Sequence, residues 1–166
     1  RGQSLTHEEQ TKFLNAVKDT PYYNAFRFLL LTGVRRGELM SLKFSDVLHA
    51  DKLIKINGTK TETSERYIIL TEELEKIIAQ QLERHAGEVY VFPYSADALT
   101  HLFKQVCPNH KLHDLRHTFI TRCAESGIHI NVTQTLVGHK TLNTTLAIYT
   151  HTSLDFARTE FEKFRA

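Results

Sequence analysis

Most apolar positions along this chain recur at helical spacing, interrupted by a strand-like pattern between Lys52 and Leu70. Thr6 and Glu9 are spaced as the two ends of a capping box, which predicts a first helix over His7–Val17. Pro21 suits the first turn of a second helix with Phe26, Leu29 and Leu30 on its apolar face, closed by Gly33. A short helix is predicted around Gly37–Leu42. Leu53, Ile54 and Ile56 then read as a strand, Asn57-Gly58 as a turn signal, and Arg66–Leu70 as a returning strand. The stretch Thr59–Glu65 between them is polar and lacks an apolar period, so it forms the tip of a β-hairpin.

Helical spacing then resumes. Thr71 caps a helix with Glu72 and Glu73 in its first turn, where their charge suits the dipole, and Gly87 marks its end. Glu88–Phe92 reads as a short extended piece, and Ser95 caps a helix reaching Val106, with Pro108 breaking the chain after it. Further helices are predicted from His113 to Gly127, from an Asn131 cap to Gly138, around Leu142–Thr150, and over Ser153–Phe164. The fold class is therefore mainly α with a small antiparallel β-sheet (α+β), in a single domain spanning residues 1–166.

Composition adds limits rather than direction. A length of 166 residues suits one domain, and 41% hydrophobic with 24% charged residues is ordinary for a globular protein. No apolar run approaches the ~20 residues needed to cross a bilayer, and the first ten residues do not resemble a signal peptide. Cys107 and Cys123 make no disulfide framework, which fits reduced core thiols and a cytoplasmic setting. The net charge of +2 is too small by itself to announce nucleic acid. Ten histidines, several of them between His101 and His151, raise three possibilities: metal, acid–base chemistry or phosphate contact.

Four short constellations could carry that chemistry. In Thr32-Gly33-Val34-Arg35-Arg36-Gly37-Glu38-Leu39, Arg35 falls on the turn that opens a helix, a good place to clamp phosphate. Glu38, three residues on, is placed to hold a guanidinium or a backbone amide. Taken alone, a surface arginine pair explains this octapeptide slightly better. In His113-Asp114-Leu115-Arg116-His117, His113 and Arg116 share one face of a helix near its start, pairing a proton acceptor with a phosphate holder. His113 and His117 also have the spacing of a zinc pair. The glutamate of that motif is replaced by Asp114, however, and Arg116 would repel a cation. His139 follows the helix-ending Gly138, on a loop, with Tyr149 ten residues later. Singly, Tyr149 reads as a packing aromatic. Lys60 lies on the hairpin tip, where a lysine is normally just solvated.

The order of these motifs resembles the tyrosine recombinase (phage integrase) superfamily. Thr32-Gly33-Val34-Arg35-x-x-Glu38-Leu39 is similar to its first arginine box, and Thr59-Lys60-Thr61 to its hairpin lysine. His113-x-x-Arg116-His117-Thr118 is similar to its second box, and Gly138-His139 with Tyr149 to its third. The likeness runs from about Leu5 to Tyr149. The wording around Tyr149 is similar to integrases of Gram-positive phages and conjugative transposons, although many relatives have a gap of nine from histidine to tyrosine. The resemblance implies a mobile-element enzyme of the bacterial cytoplasm that cleaves and rejoins double-stranded DNA without metal, ATP or other cofactor. Tyr149 would attack the scissile phosphate to give a 3′-phosphotyrosyl link. His113 would act as base and Lys60 as general acid. Arg35, Arg116 and His139 would hold the phosphate oxygens, with Glu38 and His117 in support. It also implies a DNA-clamping domain N-terminal to this one and a synaptic tetramer on DNA, the isolated domain being monomeric. The alternatives are a regulator that binds DNA without catalysis, a type IB topoisomerase or telomere resolvase with the same chemistry, and a zinc hydrolase built on His113 and His117. For the last helix, with Leu154, Phe156, Phe161 and Phe164, packing on its own core and docking on a neighbouring protomer stay equally open.

Overall fold

A computed structural model describes residues 2–58, 65–138 and 150–166, with side chains in the last stretch from Leu154 onward. The predicted helix over Leu142–Thr150 falls almost wholly outside the described residues, as do Lys60, His139 and Tyr149. Helix α1 spans His7–Val17 and is closed at its start by the predicted capping box: the Glu9 N–H donates to Thr6 Oγ1 at 3.1 Å, and the Thr6 N–H to Glu9 Oε1 at 2.8 Å. Helix α2 spans Tyr23–Thr32. Pro21 lies before it, in a turn whose geometry is set by Thr20, so the proline precedes the helix rather than opening it. Gly33 ends α2 in the left-handed region (φ 68°), and α3 follows over Arg36–Met40 with Arg35 at its N-cap.

The sheet has one more strand than the hydrophobic pattern predicted. β1 (Val47–Leu48), β2 (Leu53–Ile56) and β3 (Arg66–Ile69) pair antiparallel in that order. A two-residue strand is too short to show alternation, which is why β1 escapes a reading based on period. Register sets Ile54 opposite Ile68 and Ile56 opposite Arg66. Residues two apart share a face, so Arg66 stands on the same core-facing side as Ile54, Ile56 and Ile68.

Helix α4 (Glu72–Arg84) starts at the Thr71 cap and stops at Arg84, short of Gly87. In the predicted extended piece Glu88–Phe92 the chain bends at Val89, Val91 and Phe92, and Tyr90 forms an isolated antiparallel bridge with Lys43. Helix α5 (Ala96–Val106) has the predicted Ser95 cap, and α6 covers Asp114–Glu125 with His113 at its N-cap. Helix α7 (Ile130–Val137) is capped by His129, whose Nδ1 accepts the Asn131 N–H at 3.1 Å. Asn131, the residue type favoured at caps, is already inside the helix. Gly138 ends α7 at φ 78°. Helix α8 spans Thr150–Phe161, beginning and ending three residues before the predicted span.

The core gathers Phe13, Phe26 and Phe103 edge to face, with centroids 5.0 and 5.2 Å from Phe13. α2 packs along α6 through the centre. At the far end Phe161 and Phe164 pack on Phe119 of α6, so this end of the last helix sits on its own chain while Phe156 is exposed. The segment before α1 straps onto α6: the Gln3 N–H donates to Asp114, the Leu5 N–H to Thr118, and Arg122 donates to the Leu5 carbonyl. Among the described residues no helix is long and apolar enough to cross a membrane.

Candidate active site

The ends of α2 and α7 and the start of α6 meet at Arg116. Its side chain is only 5% exposed, at the third position of α6. Nη1 donates to the Gly33 carbonyl and Nη2 to the Val137 carbonyl, each at 2.8 Å. Both acceptors lie at helix C-termini, whose carbonyls lack helical partners and carry the negative end of the dipole. A guanidinium has five N–H groups. Among the described residues Arg116 makes these two bonds. Burial, with Arg35 and Arg66 close by, pulls its pKa down to about 10 against the opposing pull of Glu38. It remains a cation at neutral pH.

Arg116 and His113 line a cleft of about 260 Å³ with Leu29, Val34, Leu112 and Leu115, and with Arg36, whose Nη1 donates to Thr100 Oγ1 at 2.8 Å. The His113 ring is solvent-exposed. Desolvation against its neighbours, then the nearby His117, Arg116 and Arg35, hold its pKa below the ordinary histidine value, while Asp114 opposes them. A neutral imidazole at neutral pH is the form that can accept a proton. His117 stands edge-on to His113, with centroids 5.1 Å apart, and its half-buried ring fills the space beside Gly2.

Glu38 is buried beneath the cationic groups. Its Oε1 accepts the Arg35 backbone N–H at 2.8 Å, so it fixes the turn that presents Arg35. The guanidinium it binds is that of Arg66, which reaches Oε2 at 2.8 Å and Oε1 at 3.0 Å. Burial opposes ionisation of Glu38, but the Arg66 fork and the Arg35 amide keep its carboxyl below the usual carboxylate range. Arg66 also donates from Nε to the Leu136 carbonyl at 2.6 Å. Two buried guanidiniums thus hold consecutive carbonyls at the end of α7, just before His139.

The predicted residues Arg35, Glu38, His113, Arg116 and His117 therefore stand in one neighbourhood. Arg66 went unnoticed in the sequence, though the signal was present: a charge at the core-facing parity of a strand. A second missed group is His110, 5% exposed, with Nδ1 at 3.0 Å from Asp114 Oδ2 and Nε2 at 3.0 Å from Glu9 Oε2. Burial works against its charge, yet the two carboxylates prevail and raise its pKa. Asp114 also accepts the Lys111 and Gln3 backbone N–H groups, which anchor the first turn of α6.

A mainly helical domain with a small sheet and a cleft floored by the buried Arg116 is the class these features define. The sequence profile of the phage integrase family matches residues 3–155, and the chain belongs to that family. The tyrosine recombinase XerA of Saccharolobus solfataricus is 35% identical over 165 residues, covering 97% of this chain and 56% of that protein. The chain thus spans a little over half the length of that relative. The crystal structure of a XerA recombinase superposes with a TM-score of 0.71 at 26% identity, covering 99% of this chain and 65% of the other. The lambda integrase catalytic core has the same fold, with a TM-score of 0.70 at 22% identity over 84% of this chain and 96% of that one.

Proposed function

We propose that this chain breaks and rejoins double-stranded DNA at specific sites by phosphoryl transfer to Tyr149. The observation that carries this reading is the convergence of Arg116 and a neutral His113 on one cleft, with the Arg35 charge acting on both, around a carboxylate already satisfied by Arg66. The Tyr149 oxygen attacks the scissile phosphorus as the bond to the 5′-oxygen breaks. His113 takes the phenolic proton, and Lys60 gives one to the leaving oxygen. The products are a 3′-phosphotyrosyl link and a free 5′-hydroxyl, so rejoining needs no ATP. Ionising a tyrosine of pKa ~10 at pH 7 costs about 4 kcal/mol, which a base and a cationic pocket offset. Arg35, Arg116 and His139 bind the non-bridging oxygens and stabilise the additional charge of the transition state. Glu38 and His117 support the first and second boxes.

A second DNA-clamping domain N-terminal to this one, and four copies assembled on DNA, complete the proposal. Its setting is the bacterial cytoplasm, at the nucleoid. The test is a nicked suicide duplex carrying the cognate site, incubated with the full-length protein. A covalent adduct is expected that persists in chelator and is absent in Tyr149→Phe. Equal adduct yield from that variant would reject Tyr149 as nucleophile.

A further inference from the structure

The carboxylate of Glu38 lies between two arginines that it engages very differently. Arg66 occupies both oxygens through a fork-to-fork contact, with side-chain exposures of 3% for Arg66 and 1% for Glu38. Arg35 brings its Nη1 no nearer than 3.6 Å, and its side chain is 42% exposed. Otherwise Arg35 meets Glu38 through its backbone N–H alone. An unpaired carboxylate at this depth would draw in the nearest guanidinium, because charges attract strongly where water is excluded. With Arg66 removed, that guanidinium is Arg35. The arginine offered to an anion would then be turned inward and neutralised.

We infer that Arg66 is a positioning residue: by saturating Glu38 it keeps the Arg35 guanidinium unclaimed and directed outward, available to a phosphate oxygen. This rests on the proposed reading that Arg35 and Arg116 bind phosphate. Arg66 reaches the site from β3, where it takes a position that the sheet would otherwise fill with an apolar side chain. A further contact, Nε to the Leu136 carbonyl, is a separate structural tether. The two roles predict different behaviour when Glu38 is neutralised. Loss of the tether cannot be repaired by changing Glu38, whereas loss of the charge balance can.

The experiment titrates inorganic phosphate into the isotope-labelled chain and follows the arginine Nε–Hε resonances by NMR. In the unmodified chain, Arg35 and Arg116 are expected to shift saturably. Arg66→Met should weaken phosphate binding about tenfold, the scale expected for losing one charge-assisted contact, with the backbone amides of α6 unmoved. Adding Glu38→Gln to that variant should restore affinity to within about threefold, since the fork's lost partner is neutral as well. Should Arg66→Met fail to fold, Arg66→Lys, with and without Glu38→Gln, is read by the same criteria, because a lysine cannot occupy both oxygens as a fork. Undiminished binding in the folded single variant would overturn the inference, as would a double variant that stays weak. Absence of any shift at Arg35 and Arg116 in the unmodified chain would instead reject the phosphate-site reading itself.

Discussion

His110 and His113 stand three residues apart, yet their surroundings push them in opposite directions. His110 has a carboxylate at each ring nitrogen, and together they favour its protonated form. His113 sits among cations and is held neutral. A folded-state pKa above the unfolded value means that His110 contributes its full stability below about pH 6.5 and loses it as pH rises through the folded value. Glu9 and Asp114, lowered by their hydrogen bonds, contribute above their unfolded values and lose that as acid is added. The cluster is therefore strongest between about pH 5 and 6.5. His110→Gln is expected to cost ~1–3 kcal/mol in denaturant unfolding at pH 6, because it leaves two carboxylates without their cation. That cost should shrink by pH 9; a constant penalty would show that His110 acts by shape alone. Ring titration by NMR checks the same assignment directly, with the His113 midpoint expected below 6.5 and that of His110 above it.

At the scale of elements, two helix ends do double duty. Gly33 closes α2 and Gly138 closes α7, and the carbonyls at those ends are what hold Arg116 and Arg66. A Cβ added at Gly33 would come within 2.5 Å of Phe119 Cδ2, a ring buried in the core, at a φ of 68° that side chains rarely adopt. Gly87 has a similar backbone (φ 87°) but nothing within 4 Å. Gly87→Ala should therefore cost ~1 kcal/mol, the left-handed penalty alone, and Gly33→Ala ~2–4 kcal/mol, from that penalty plus displacement of Phe119. Equal midpoints for the two variants in urea unfolding would rule out the packing contribution. Such ends were legible beforehand because glycine at a helix terminus is a local signal, as are Thr6 with Glu9, Thr71 and Ser95. What escaped were elements decided by tertiary context. The His129 cap depends on a ring turning back to Asn131, and β1 exists only because β2 lies beside it. Arg66 looked like an ordinary strand residue until register showed which face it occupies. In the site, the placement of Arg35, Glu38, His113 and Arg116 was readable because each lies at a helix start, whereas their common anchor depends on α2, α6 and α7 meeting.

On the scale of the whole molecule, the parts that carry the cleft are tied together by contacts between distant stretches of chain. The segment before α1 lies against α6, the helix whose first turn bears Arg116 and whose cap is His113. The Gln3 N–H reaches Asp114 at 3.1 Å, the Leu5 N–H reaches Thr118 Oγ1 at 2.9 Å, and Arg122 Nη2 donates to the Leu5 carbonyl at 3.0 Å. Leu5 itself is 1% exposed within the core. Burying a leucine is worth ~1.5–3 kcal/mol, and buried hydrogen bonds add ~0.5–1.5 kcal/mol each. Deleting residues 1–5 also strands Arg122, which is 2% exposed, with one fewer acceptor. The deletion is expected to lower unfolding stability by ~3–5 kcal/mol, a large share of what a domain of this size possesses. Leu5→Ala alone should reproduce ~2–3 kcal/mol of that. The two variants differ in what they do to the site. Leu5→Ala leaves the backbone donors to Asp114 and Thr118 in place, so α6 should keep its amide protection and His113 its depressed titration. The deletion removes those donors, and protection in the first turn of α6 should fall before global unfolding does. If hydrogen exchange shows the first turn equally protected in both, the strap serves only the core, and the cleft depends for its geometry on α2 and α7 alone.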